Sequence, residues 1–190
     1  WDRQFSRVAA NFASELQTER LAENAQTSKR HKMDAPAVYC IRHGLATHNV
    51  DFYRRGEDAF LFADSTDTEL LPEGFEQAKT LGTSWELVHD FDVILVSPLT
   101  RTLQTATSIF GADSKAPFVS LDVIKEAPQG LHYPNLRKAK TVLADSYPGV
   151  DFSQLETEAD EMWRKDRYET PEELFDRVRS LRGLLRAAYC

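Results

Sequence analysis

The sequence predicts an α/β fold: a three-layer α/β/α sandwich with helices on both faces of a mainly parallel sheet. Three apolar runs, "AVYCI" (37–41), "FDVILVSP" (91–98) and "APFVSLDVIKE" (116–126), are too short for helices and rich in β-branched and aromatic residues, so they read as buried strands. Stretches with apolar residues at helical spacing separate them, and a long helical region closes the chain. Strands alternating with helices in this way build a parallel sheet through crossover connections.

The first element lies ahead of that pattern. Trp1, Phe5, Val8, Phe12 and Leu16 recur at intervals of four and three, which predicts an amphipathic helix to about residue 27. Its apolar stripe must pack on something, either its own domain or a protein partner docking along Trp1 to Leu16. Asp2, Glu15, Glu19 and Glu23 make it a poor match for an acid-depleted transit peptide. Residues 24–36 are polar and end at Pro36, the signature of a linker. Residues 1–34 are therefore expected to form a helix and linker, and residues 35–190 the main domain.

The next elements follow from periodicity and punctuation. After the first strand, residues 51–68 alternate polar and aromatic positions and suit irregular structure. Pro72 fits a first helical position, and Phe75, Ala78, Leu81, Trp85 and Val88 supply a buried face as far as about His89. Leu99, Leu103, Ala106 and Phe110 mark a helix after the second strand. Thr170-Pro171-Glu172-Glu173 reads as a capping box, followed by a predicted core stripe of Leu174, Val178, Leu181 and Leu185.

Composition narrows the function. The 190 residues carry a net charge of −7, with a pI near 5.3, which argues against a nucleic-acid binder because phosphate-backbone affinity needs surplus Lys and Arg. No apolar run is long enough to span a bilayer. There are only two cysteines, Cys40 in the first strand run and Cys190 at the end. That usage speaks against a disulfide scaffold and favours a reducing compartment or organelle matrix.

The chemistry sits at the ends of the predicted strands, where ligands collect in open α/β sheets. The first strand delivers Arg42 and His43. The second exits through "SPLTRTLQTA" and places Arg101 in the first turn of the next helix. The third leads to "KEAPQGLHYPN", with Glu126 and an accessory candidate, His132. Guanidinium groups bind phosphate oxygens bidentately and stay charged, a histidine can attack phosphorus, and a carboxyl can protonate the departing oxygen. Together they point to phosphoryl transfer on a small phosphorylated molecule. Alone, each has a plainer explanation: a strand-end histidine satisfying backbone groups, a surface salt bridge, a solvated acid. His31, His48 and His89 have only such explanations.

"RHGLATHN", "DTELLPEGFEQAKTLG", "SPLTRTLQTA" and "KEAPQG" occur in the order and approximate spacing of the histidine phosphatase superfamily, which the chain resembles from about Pro36 to Cys190. Residues 150–178 resemble the C-terminal region of plant and algal phosphoglycerate mutase-like proteins. The resemblance implies the phosphoglycerate mutase-like fold, His43 as phospho-acceptor, Arg42 and Arg101 as phosphate clamps, Asn49 as a support of the phosphate pocket, and Glu126 as general acid and then base. It implies a phosphohistidine intermediate, with no metal and no other cofactor.

The chain also departs from the family pattern. The family's second histidine follows the long C-terminal helix on a further strand, and "LFDRVRSLRGLLRAAYC" ends before one, so the domain is expected to be C-terminally incomplete, its sheet finished by another segment. The expected gap separates the strand at 38–41 from the strand at 93–96, the alternative being a rearranged sheet in which those two strands pair directly. The segment around Glu126 lacks the longer Glu-Arg-His-Tyr-Gly pattern of glycolytic mutases, which favours a phosphatase of the histidine acid type over a mutase. Lys125, Arg54, Arg55, Arg137 and Lys138 are candidates for a second anionic group. Two readings stand: a phosphomonoester hydrolase, and a non-catalytic scaffold subunit of a larger assembly.

Overall fold

The computed structural model describes residues 37–111 and 114–189. In chain order they form α1 (Thr47–Arg55), α2 (Pro72–Ser84), β1 (Ile94–Val96), α3 (Thr100–Phe110), β2 (Phe118–Ser120), α4 (Lys140–Ser146), β3 (Val150–Asp151) and α5 (Pro171–Tyr189), with short 3-10 turns between them. Ile41–Leu174 make one compact unit; residues 37–40 and 175–189 belong to a second. The predicted N-terminal helix and linker lie outside the described residues. No helix among the described residues is long and apolar enough to cross a membrane.

The sheet is parallel, in the order β1-β2-β3, with Ile94 opposite Phe118 and Phe118 opposite Val150. β1 and β2 are almost wholly apolar and buried, whereas β3 ends in an exposed Asp151. Ile94, Val96, Phe118 and Val150 pack with Leu103 of α3, Leu143 of α4 and Leu155 into the main core. Removing such side chains from water is the dominant favourable contribution to folding. A smaller cluster of Ala78, Val88 and Ile109 joins α2 to α3. Gly82 allows that approach, since a Cβ there would lie 2.3 Å from the Ile109 carbonyl oxygen.

Helix α3 is held at its start by a residue distant in sequence. Asp67, buried and with φ +43°, accepts hydrogen bonds from the Thr100 amide and the Thr100 hydroxyl, each at 2.7 Å. A carboxylate is favoured at a helix N-terminus, where backbone donors have no intrahelical partner. Leu99 and Leu103 below it are fully buried, as predicted for this helix. Helix α5 opens with the predicted capping box: the Thr170 amide donates to Glu173 Oε2 at 2.8 Å and the Glu173 amide to Thr170 Oγ1 at 3.3 Å.

Four expectations need correcting. Residues 37–45 are not a strand, and Val38, Tyr39 and Ile41 are exposed, as is Cys40. A strand is defined by its ladder, and β propensity without a neighbouring strand does not make one. Helix α2 stops at Ser84 rather than near His89, where Thr83 and Ser84 hydroxyls bond back to the Thr80 carbonyl. The stripe predicted for α5 is not uniformly buried: Val178 is exposed and Leu184, off that stripe, is buried. Finally, Lys125 and Arg137 are not free to meet a second anion. Lys125 Nζ bonds Asp160 at 2.6 Å, and the Arg137 guanidinium is held by Asp122 and by the carbonyls of Thr157, Lys138, Glu158 and Ala159.

Candidate active site

The loop ahead of α1 is fixed by close backbone packing. Gly44 and Gly74 face each other, and a Cβ on Gly74 would lie 2.1 Å from the Leu45 carbonyl oxygen. The Leu71 amide donates to that oxygen at 2.9 Å, and the Gly44 amide donates to Thr105 Oγ1 on α3 at 3.1 Å. Two glycines thus seat the Arg42-His43-Gly44 turn between α2 and α3. An isolated antiparallel bridge, Ala46 to Leu70, completes the anchor.

This turn, the first turns of α1 and the segment after Glu126 enclose a cleft of about 480 Å³, lined by Arg42, His43, Asn49, Glu126 and His132 among others. Five of the six residues chosen from sequence therefore meet in one cavity. The sixth, Arg101, stands behind it with no exposed surface. Its guanidinium donates to Glu126 Oε2 at 2.8 Å, to Asn135 Oδ1 at 3.0 Å and to the Pro134 carbonyl at 2.6 Å, and its Nε has no partner. A buried guanidinium needs such partners to offset its lost hydration. The geometry makes Arg101 the holder of the Glu126 carboxylate.

His43 is half-buried. Its Nδ1 lies 2.7 Å from the Gly44 carbonyl oxygen, which can only accept, so Nδ1 carries the proton and Nε2 presents its lone pair. That Nε2 is buried and has no hydrogen-bond partner. Burial pushes the imidazole below its ordinary pKa, the Gly44 bond resists, and the charges of Arg101 and Arg42 add to the lowering. A neutral ring with a bare nitrogen beside two guanidiniums can act as a nucleophile toward phosphorus.

One residue of the site had only a structural explanation from sequence. His48 is buried, with its ring centroid 5.3 Å from that of His43. The Ala46 amide donates to Asn49 Oδ1 at 2.9 Å, so Asn49 Nδ2 is the donor toward His48 Nε2 at 3.1 Å, and His48 Nδ1 donates to Thr68 Oγ1 at 2.7 Å. Burial first, then the Arg101 charge, drives the His48 pKa down to about 3. The ring is a neutral relay that fixes the Asn49 amide, leaving Asn49 a second N–H. Thr68, 20 positions away, reaches it only in the fold, and no sequence period marks it. His132 also lines the cleft, its Nε2 2.8 Å from the Tyr168 hydroxyl, and its pKa is lowered mainly by burial. His89 is exposed, and His31 lies outside the described residues.

Ligand atoms of His43, His48 and Glu126 all lie within 4.8 Å of one another, close enough to share a cation. Two of the three are already engaged, His48 Nε2 by Asn49 and Glu126 by Arg101. His43 Nε2 keeps its lone pair, and Glu126 keeps its second oxygen, Oε1.

The model of the histidine phosphatase superfamily (branch 1) matches residues 38–189. The chain belongs to that superfamily. Among its curated relatives, phosphoglycerate mutase-like protein 1 of Arabidopsis thaliana is 32% identical over 166 residues, covering 72% of this chain and 58% of the relative. A second Arabidopsis thaliana phosphoglycerate mutase-like protein is 25% identical over 167 residues, covering 72% and 61%. Phosphomutase-like protein 3 of Candida albicans is 31% identical over 146 residues, covering 68% and 45%. The chain spans about three fifths of the length of the Arabidopsis relatives it matches. The plant resemblance read from residues 150–178 thus has counterparts among these relatives, and the parallel sheet with its helices is the α/β architecture expected of a histidine phosphatase.

Proposed function

We propose that this histidine phosphatase chain hydrolyses phosphomonoesters through a phosphohistidine on His43. The observation that supports the reading best is the bare, buried Nε2 of His43, a residue oriented by the Gly44 carbonyl that lines a cleft with Arg42 and Glu126. Arg42 and the free N–H of Asn49 bind the phosphoryl oxygens. His43 Nε2 attacks phosphorus, the P–O bond to the leaving group breaks, and the Glu126 carboxyl delivers its proton to the departing oxygen. In the second half, the Glu126 carboxylate takes a proton from water as that water attacks phosphorus and the P–N bond breaks. Inorganic phosphate leaves, and neutral His43 and protonated Glu126 are restored.

Arg101 links the steps. Its buried guanidinium holds the same Glu126 side chain at the cleft through both halves of the reaction. Positioned donors aimed at charge that develops during transfer are each worth about 10²–10³ in rate. A phosphatase is favoured over a mutase because Lys125 and Arg137 are committed elsewhere. The main domain is taken to begin near residue 35.

The test is trapping of the intermediate. Wild-type protein mixed with a radiolabelled phosphomonoester and quenched in alkali should carry acid-labile label on His43. His43→Ala should carry none and should not turn over, whereas His48→Gln should keep the label at a reduced rate. Label that persists on His43→Ala would assign the nucleophile to another residue.

A further inference from the structure

The cleft outside its phosphate end is built from rings. The His48 ring is followed by Phe60 at 6.0 Å between centroids, and Phe60 stacks on Phe52 at 5.6 Å with 18° between planes. Phe60 also meets His132 edge-on at 5.1 Å, and His132 meets Tyr168 at 5.0 Å. Tyr53, which lines the cleft too, is 84% exposed at its mouth. An aromatic side chain this exposed leaves apolar surface in water that a bound ring would cover.

Charge tells the same story from the other side. Among the described residues lining the cleft, Arg42 is the one cation, and it serves the phosphate end. Lys125 and Arg137 are held by Asp160 and Asp122. Glu126 lines the cleft, and Glu57 lies near enough to act on the charge of His132. A leaving group bearing a carboxylate or a second phosphate would be desolvated beside like charge with no counter-ion.

From the ring wall and this charge arrangement we infer that the substrate's leaving group is an uncharged aromatic, an arylmethyl or aryl alcohol inserted beside Phe52, Phe60 and His132, and not a carboxylated or doubly phosphorylated small molecule. The inference rests on the phosphomonoesterase reading for its phosphate end and adds the chemistry of the other end. Ring-on-ring contact within such a cleft supplies roughly a tenfold preference over a saturated group of similar size.

Binding of phosphonates tests this without requiring turnover. The full chain is titrated calorimetrically with 2-naphthylmethylphosphonate, cyclohexylmethylphosphonate and 3-phosphonopropionate. The naphthyl compound should bind at least about tenfold tighter than either other, and Phe52→Ala and Tyr53→Ala should bring the three toward equality. Tightest binding by 3-phosphonopropionate, or equal binding of the naphthyl and cyclohexyl compounds, overturns the inference and leaves the phosphatase reading standing. Naphthyl preference with no trapped phosphohistidine would sink the catalytic reading alone. If no phosphonate binds, both fall.

Discussion

Two polar clusters lie in the same compact unit, and they differ in one respect. Around Asp160 every group answers another: Asp160 accepts from Lys125 Nζ, from the Arg137 amide at 3.0 Å and from the Met162 and Trp163 amides, while Asp122 pairs with Arg137 Nε at 3.0 Å. Around His43 a nitrogen is left over, and Arg42 is exposed to the cavity it lines. Both clusters gather charge from distant parts of the chain. The closed one has no valence to offer a ligand and fastens the segment at 157–163 to the β2 exit. The open one retains a lone pair that a folding domain gains nothing by burying unpaired. Saturation separates a structural cluster from a reactive one better than residue type does.

The largest expected effect breaks the closed cluster. Asp160→Ala leaves the Lys125 ammonium buried without its main counter-charge, and the loss of one member of a buried pair costs about 3–5 kcal/mol. Urea unfolding should show that loss, whereas His43→Ala, which removes no partnered group except one bond to Gly44, should fall within about 1 kcal/mol of wild type. Similar destabilisation by both would erase the distinction.

Next comes the seat of the open cluster. Gly74→Ala drives a Cβ into the Leu45 backbone and should cost about 1–3 kcal/mol while displacing the His43 turn, so that phosphate binding weakens as well. Gly149→Ala, with nothing within 4 Å of the new carbon, is the matched control and should leave both quantities unchanged.

A smaller effect follows from His48. Its folded pKa of about 3 lies below the ordinary 6.5, so between those values the unfolded chain binds a proton that the folded chain refuses. Stability should therefore fall as pH drops from about 6.5 toward 3, with a limiting slope near 1.4 kcal/mol per pH unit for one group. His43 and His132, also lowered, steepen the slope, and Asp67, raised by burial, opposes it. His48→Gln should flatten this acid limb. An unchanged slope in denaturant melts between pH 4 and 6.5 would show that His48 does not titrate in this way.

These differences also explain what the sequence discloses. β1, β2 and α3 are legible because each is a local apolar pattern whose length and period decide its type. Arg101 and Glu126 are legible because they follow β1 and β2, whose ends point to one edge, whereas Arg42 and His43 are legible through the motif order that resembles the superfamily. Residues 37–41 mislead, since a β-rich run becomes a strand only through a neighbour. His48 escapes notice because its meaning comes from Thr68, 20 positions away, and from the Asn49 amide. Phe52 and Phe60 lie in a stretch without periodicity, and the Lys125–Asp160 pair spans 35 positions. Contacts of that range are properties of the fold alone.

The stereochemical course at phosphorus tests the central claim most directly. A naphthylmethyl thiophosphate made chiral by oxygen isotopes, hydrolysed in water carrying the third isotope, reports how many displacements occur. Each in-line displacement inverts phosphorus. Transfer to His43 Nε2 and then to water predicts overall retention of configuration. Overall inversion would mean that water attacks the ester directly and that the bare nitrogen of His43 is not the nucleophile.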